Sequence, residues 1–483
     1  MTFLGVAAVV LLALAAVVGI RLSRKPVGLK AFVQRVARDK TYSQQVSARV
    51  RRRAERMSEA RAAPPPADFE LPALLRDLLD FDNDAHDAAA TRIAASEKRA
   101  IPTLLAAMDD PRCTWQQDEP GDYGSSPALR VCRLLYQSNC RTLGDRIGHL
   151  VDSPDRQTRS LAIKARAALG RSSEIAFVLE HLNSDDTAAQ SSGQEGIDKE
   201  VAEGWAEPEF VVAVLEWARQ SIFDTGSRRS DWAVRFFAAH GGADAIRALQ
   251  SPEILNLQNN RTIHYVLEEL AARKIHVPGP LLEAILKRST TEDSWPWPWA
   301  WKPSLDLLAL TDVDAATRLA NEQIGHTNES IARQSIEFVR ESNGLPRIWQ
   351  IESSESASLS AEEREIIKHS ETCSEAIGQI GNGGLSQYFF NSSGDRWPQV
   401  CKSFNVFGFA EGAETLEKAA RLIHKAGASL DRNTRIQQIA SLSSAQYDAF
   451  DSLSSTFWGL NWQRIELRFM LRHKALFQRI KNS

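Results

Sequence analysis

The chain is 483 residues long, with hydrophobic residues at 43% and charged residues at 25%, enough to bury more than one core and too apolar for a disordered chain. Its 58 lysines and arginines nearly balance 61 aspartates and glutamates, for a formal net charge of −3, which excludes a uniformly basic or uniformly acidic protein. Five cysteines without a CxxC pair argue against a disulfide framework and fit buried thiols in a reducing compartment.

The first segment, FLGVAAVVLLALAAVVGI from Phe3 to Ile20, is uncharged and long enough for a helix to cross a bilayer. Positive charge follows it, at Arg21, Arg24, Lys25 and Lys30, whereas a secretory signal carries its charge in front. Residues 1–23 are therefore expected to form a transmembrane helix of a single-pass bacterial inner-membrane protein, N-terminus outside and bulk in the cytoplasm. The competing reading is a cleaved signal with an unusual charge order.

Residues 24–67 read as a basic juxtamembrane helix and a proline linker. Leu29, Phe32, Val33 and Val36 share one helical face, and Arg21, Arg24, Lys25 and Lys30 are the candidates for anionic headgroups. The following ARVRRRAERMSEAR is read as lipid-facing ahead of nucleic-acid binding or a solvated tether, and Pro64, Pro65 and Pro66 end the segment.

Residues 68–350 repeat amphipathic helix pairs. In VDSPDRQTRSLAIKARAALGRSSEIAFVLEHLNSDD an Asp/Pro turn precedes a helix carrying Leu161, Ala165, Ala168 and Leu169 on one face. Gly170 then closes it, and a second helix presents Ile175, Val178, Leu179 and Leu182. Such pairs cannot bury their apolar face alone and must stack. They resemble HEAT-type repeats, which implies an α-solenoid that holds protein partners. LDFDNDAHD spaces Asp80, Asp82 and Asp84 like a calcium loop, but Ala85 and Thr91 occupy its required glycine and closing acidic positions.

DSWPWPWAWKP alternates Trp295, Trp297, Trp299 and Trp301 with prolines and Ala300. Alternation with prolines predicts an extended or polyproline-like loop that plugs the solenoid or binds a partner, with Trp295 and Trp297 as the binding candidates.

Residues 355–483 form a last helical domain. Ser360 with Glu363 makes a capping box, and Ile366, Cys373, Ile377 and Ile380 share one helical face. The helix runs into IGNGGLSQYFFNSSGD. No Lys-Ser/Thr pair follows its glycines and no strand precedes them, so neither a P-loop nor a dinucleotide fingerprint is present. A helix stop after Ile380 is expected instead, with Gly381 and Asn382-Gly383 supplying left-handed angles and the second helix ending at Gly394. Asn382, Gly383, Gly384, Gln387, Phe389 and Asn391 are the candidate partner contacts. The stripe Arg464, Arg468, Arg472 reads as a solvated face, and His369, Cys373, Cys401 and His424 lack zinc-site spacing.

From Glu375 to Asp395 this sequence resembles the signature of a bacterial all-helical domain family of which one member is described as a DNA-mimic protein, and the resemblance continues through VFGFAEGAETLEKAARLI. It implies a compact helical module that binds another protein, such as a DNA-binding regulator. The near balance of acids and bases from Ser360 onward departs from mimicry.

The expected architecture is all-α: an N-terminal transmembrane helix, a HEAT-like α-solenoid and a compact C-terminal domain. No catalytic or cofactor motif is found. The function expected is a membrane-tethered protein-interaction scaffold with a protein partner and no direct nucleic-acid contact. The alternative is a regulator that sequesters a DNA-binding protein.

Overall fold

The computed structural model describes residues 52, 54–79, 83–115, 126–223, 230–255, 262–347, 359–457 and 460–482. Every secondary-structure element among them is helical. No helix among the described residues is long and apolar enough to cross a membrane. Where the helices are amphipathic, they bury one apolar face and leave a charged one outside, so they offer no apolar perimeter for lipid. The single-pass inner-membrane placement is therefore corrected: no described helix carries it. Phe3–Ile20 and the basic Arg21, Arg24, Lys25 and Lys30 lie outside the described residues.

The chain forms two compact units that divide between Trp217 and Ala218. The first contains α1 (Leu71–Leu79), α2 (Asn83–Ala94), α3 (Ile101–Ala107), α4 (Pro127–Gln137), α5 (Arg156–Ala167), α6 (Ile175–Leu182) and α7 (Thr187–Ala202), joined by shorter helical turns. Leu78, Leu104, Leu135 and Leu161 meet in its core. The Asp turns seen in the sequence cap helices: Thr158 N–H donates to Asp155 at the start of α5, 2.7 Å, and Ala188 N–H to Asp186 at the start of α7, 2.9 Å. Helices α5 and α7 pack along each other, and Arg141 ties their ends together by donating to Leu169 O at 2.6 Å and Trp205 O at 3.1 Å.

Helix α8 (Pro208–Phe223) spans the division, and the second unit continues with α9 (Ser230–His240), α10 (Gly242–Leu249), α11 (Ile263–Ala272), α12 (Gly279–Thr291), α13 (Trp297–Ala309), α14 (Val313–Gln323) and α15 (Glu329–Ser342). Its later helices are α16 (Ala361–Phe390), α17 (Trp397–Phe407), α18 (Ala410–Ile423), α19 (Arg432–Ala440), α20 (Ser444–Ser452), α21 (Leu460–Arg472) and α22 (Lys474–Asn482). Helix α13 is the hub of the earlier group, packing on α11, α12, α14 and α15. Helix α15 packs on α21, where buried Arg340 pairs with Glu337 at 3.1 Å and faces Glu466 at 3.9 Å.

Ser360 and Glu363 form the expected capping box at the start of α16. The helix does not stop after Ile380. It runs on and breaks at Gly383 and Gly384, where Gly384 takes φ +73°, a left-handed angle that penalises any side chain. The break frees the Leu385 N–H, and the Ser454 hydroxyl accepts from it at 2.9 Å. The second limb ends at Phe390, and a 3-10 turn over Ser392–Arg396 leads into α17.

Candidate functional site

The tryptophan segment is helix, not the extended loop its prolines suggest. Pro298 sits in the first turn of α13, where backbone N–H groups need no helical partner. Pro303 lies inside the helix, next to Lys302. The Gln334 side chain from α15 bridges this region: Lys302 N–H donates to Gln334 Oε1 at 2.9 Å, and Gln334 Nε2 donates to Pro298 O at 2.7 Å. Lys302 and Pro298 are one turn apart, so the amide inserts between the two members of a helical hydrogen-bond pair.

Helical spacing splits the four indoles into two pairs. Trp297 and Trp301 are buried: the Arg288 guanidinium lies 3.6 Å above the Trp297 ring, and Trp301 Nε1 donates to Ser335 Oγ at 2.8 Å. Trp295 and Trp299 lie 4.8 Å apart on the other side, 44% and 43% exposed. Of the two tryptophans proposed as contacts, Trp295 thus reaches the surface, while Trp297 is 2% exposed and has none to offer.

Trp299 lines a groove of about 610 Å³ together with Glu268, Lys302, Asp306, Glu329 and Arg333. Trp295 stands beside Trp299, edge-on to buried His264 at 4.6 Å. Burial pushes the His264 imidazole down to about 4, so it stays neutral at ordinary pH. Lys302 lies between Asp306 and Glu341, 2.9 Å from each. Burial works against its ammonium, but the two carboxylates outweigh that and hold it above the usual lysine value. The groove is therefore an indole edge beside a mixed-charge wall, suited to seating a side chain. Among the described residues, no group of three His, Cys, Asp or Glu is placed to hold a metal ion.

The other six candidates lie around the break in α16. Asn382 and Gly383 are exposed there, whereas Gly384 and Phe389 are buried. Asn391 Nδ2 donates to Gln379 Oε1 at 2.9 Å, and Gln387 Nε2 points to the same oxygen at 3.5 Å. These amides latch the second limb of α16 to the first, a structural use for polar groups that the sequence left unexplained.

The centre of this region is a residue outside the motif, Arg435 on α19, which is fully buried. It donates to Phe389 O at 2.5 Å, Asn391 O at 2.8 Å, Ser429 O at 2.7 Å and Asp395 Oδ1 at 2.7 Å. The stretch from Phe389 to Asp395, together with Ser429, is thus a cradle of carbonyls and one carboxylate for a guanidinium. Sequence reasoning missed Arg435 because it follows Asp395 by 40 residues. Trp299 was missed because alternation was read as extended chain; a spacing of four from Trp295 is the signal that finds it.

The arginine stripe is not simply a solvated face. Arg464 donates to Ile324 O, just past the end of α14, at 2.8 Å, and Arg472 to Phe407 O, the last residue of α17, at 2.9 Å. Both place a cation on a helix C-terminus. Cys373 and Cys401 are buried, and Cys401 Sγ donates to Ala413 O at 3.6 Å. Burial raises the pKa of both thiols, Cys401 to about 12.

No curated protein matches the chain. Residues 357–474 match the family model described as DMP19-like protein, a span that takes in α16 with its break, the Arg435 cradle and α21, and that supports the C-terminal resemblance while leaving the HEAT-type resemblance without added support.

Proposed function

We propose that this protein is an interaction scaffold that holds a protein partner in the groove between α13 and α15. The observation that carries the reading is the half-exposed indole of Trp299 in the lining of that groove, with the half-exposed Trp295 ring 4.8 Å beside it. Tryptophan is enriched among the residues that dominate binding energy, and paired indoles at a concave edge are the arrangement that excludes water around a seated side chain. The helix pairs of residues 68–350 act in this reading as HEAT-type repeats, and residues 355–483 as a module docked on them through α15 and α21. Asn382 and Gly383, exposed at the break in α16, are a secondary contact.

The test is affinity capture with the full chain carrying a C-terminal tag, comparing wild type with Trp299→Ala and Trp295→Ala, partners being identified by mass spectrometry. Partners lost on both substitutions, with circular dichroism unchanged, support the groove. A partner set identical in all three proteins refutes it.

A second reading, in which the C-terminal module sequesters a DNA-binding protein, is favoured by one observation. Glu411, Glu414 and Glu417 are all exposed on α18, inside the span matching the DMP19-like family. They recur about 4.5 Å apart along the helix axis, a row of carboxylates that a phosphate-binding surface can meet. Lys418 and Arg421 interrupt the row, and Arg421 pairs with Glu417 at 3.6 Å, so the groove reading stands ahead of it.

A further inference from the structure

A second groove, of about 550 Å³, opens between the end of α17 and the outer face of α21. Phe407, Ile465 and Leu471 give it an apolar bed, and Arg468 and Arg472 are its charged residues; no carboxylate lines it. Val406, 41% exposed, precedes Phe407 and adds apolar surface on α17. Arg464 and Arg472, one turn to either side of Arg468, are engaged on helix C-termini. Arg468 itself is exposed and has no hydrogen bond or ion pair with any described residue.

That combination has a definite complement. A segment that fits must bring apolar side chains to Ile465 and Leu471 and anionic groups to Arg468 and to the remaining donors of Arg472, since one carbonyl does not satisfy a guanidinium with five N–H groups. Nucleic acid is a poor fit, because its affinity comes from many phosphate contacts and only two cations are present. An anionic membrane surface calls for a cluster of about four to eight cations. A carboxylate-bearing amphipathic helix meets both needs at once, with its apolar stripe in the bed and its acidic flank on the arginines.

We infer that the groove between α17 and α21 docks an acidic amphipathic helical segment of a partner protein. This site is distinct from the tryptophan groove and does not depend on it. Its electrostatic sense is opposite to mimicry of DNA: the module offers cations to an acidic partner.

The experiment uses the full chain and fluorescence anisotropy. The probe is a labelled peptide of about 18 residues, five helical turns, built from glutamate and leucine in an amphipathic pattern. A scrambled peptide of the same composition, a labelled DNA duplex and phosphatidylserine vesicles are the comparison ligands. Saturable binding of the patterned peptide is expected, weakened about tenfold or more by Arg468→Glu and also by Leu471→Gln, with salt weakening the wild type more than Arg468→Glu. Arg468 has no described partner to lose, so Arg468→Glu should keep the wild-type melting curve. The inference is overturned if the patterned peptide does not saturate, if the scrambled peptide binds equally, if Arg468→Glu leaves affinity unchanged, or if DNA or vesicles bind in its place.

Discussion

Arg435 Nε stands 2.9 Å from the point a Cβ on Gly394 would occupy, with its Cζ at 3.1 Å and the Phe389 Cα at 3.0 Å on the same side. The glycine in NSSGD is therefore required by a guanidinium that reaches it from another helix. Gly394→Ala is expected to force Arg435 out of its cradle and destabilise the unit by about 1–3 kcal/mol. Arg435→Ala leaves three backbone carbonyls and Asp395 without their donor and should cost about 3–5 kcal/mol. Arg435→Lys restores the charge but not the planar fork and should fall between wild type and the alanine variant. Urea denaturation midpoints check all three, and an unmoved midpoint for Gly394→Ala would contradict the cradle.

Trp297 and Trp299 make a second pair whose roles separate under substitution. Trp297→Ala empties a buried volume beneath Arg288 and should destabilise by about 3–5 kcal/mol. Trp299→Ala removes a ring that is 43% exposed and should cost less than about 1 kcal/mol. Denaturation of the two variants side by side gives the comparison; equal losses would place Trp299 in the core after all.

Much of the helical architecture was legible because the apolar spacing at Leu161 and Ala165 and the Ser360–Glu363 capping box are local signals that tertiary packing then reinforced. The tryptophan segment was misread for a physical reason. Inside a helix a proline removes a backbone donor and crowds the carbonyl one turn back, but in the first turn it does neither, and here Pro298 lies in the first turn while a glutamine from α15 serves the backbone near Pro303. The break in α16 was foreseen, but its place was not: Gly381 stays helical, Gly383 and Gly384 leave helical angles, and the docking of Leu385 on Ser454 accompanies the left-handed Gly384. The Arg435 cradle was illegible because its donor and its acceptors belong to elements far apart in sequence.

Gln334 offers a test of how α13 tolerates its prolines. Gln334→Ala removes the acceptor for Lys302 N–H and a donor for Pro298 O, so a loss of about 1–3 kcal/mol is expected. Amide hydrogen exchange should rise at Lys302 and its neighbours in α13. A variant with wild-type exchange in this helix would show that the amide is incidental.

Glu200, on α7, is fully buried, and its carboxyl oxygens make no hydrogen bond among the described residues. Burial raises its pKa from the ordinary 4.5 to about 9, against a smaller opposing pull from Arg141. The native carboxyl keeps a proton that the unfolded chain releases, so between pH 4.5 and about 9 the folded state binds more protons than the unfolded one. Its contribution to stability is complete below pH 4.5 and is lost progressively as pH rises to about 9. Glu200→Gln keeps the shape of the neutral acid and removes the titration. The stability difference between Glu200→Gln and wild type should therefore grow in favour of the variant as pH rises, by up to about 1.4 kcal/mol per pH unit. Urea denaturation of both proteins at about pH 5, 7 and 8.5 covers the window in which burial holds the proton. A difference that stays constant over those conditions would mean that Glu200 ionises in the folded protein at an ordinary pH, and that Arg141 supports its charge well enough to offset its burial.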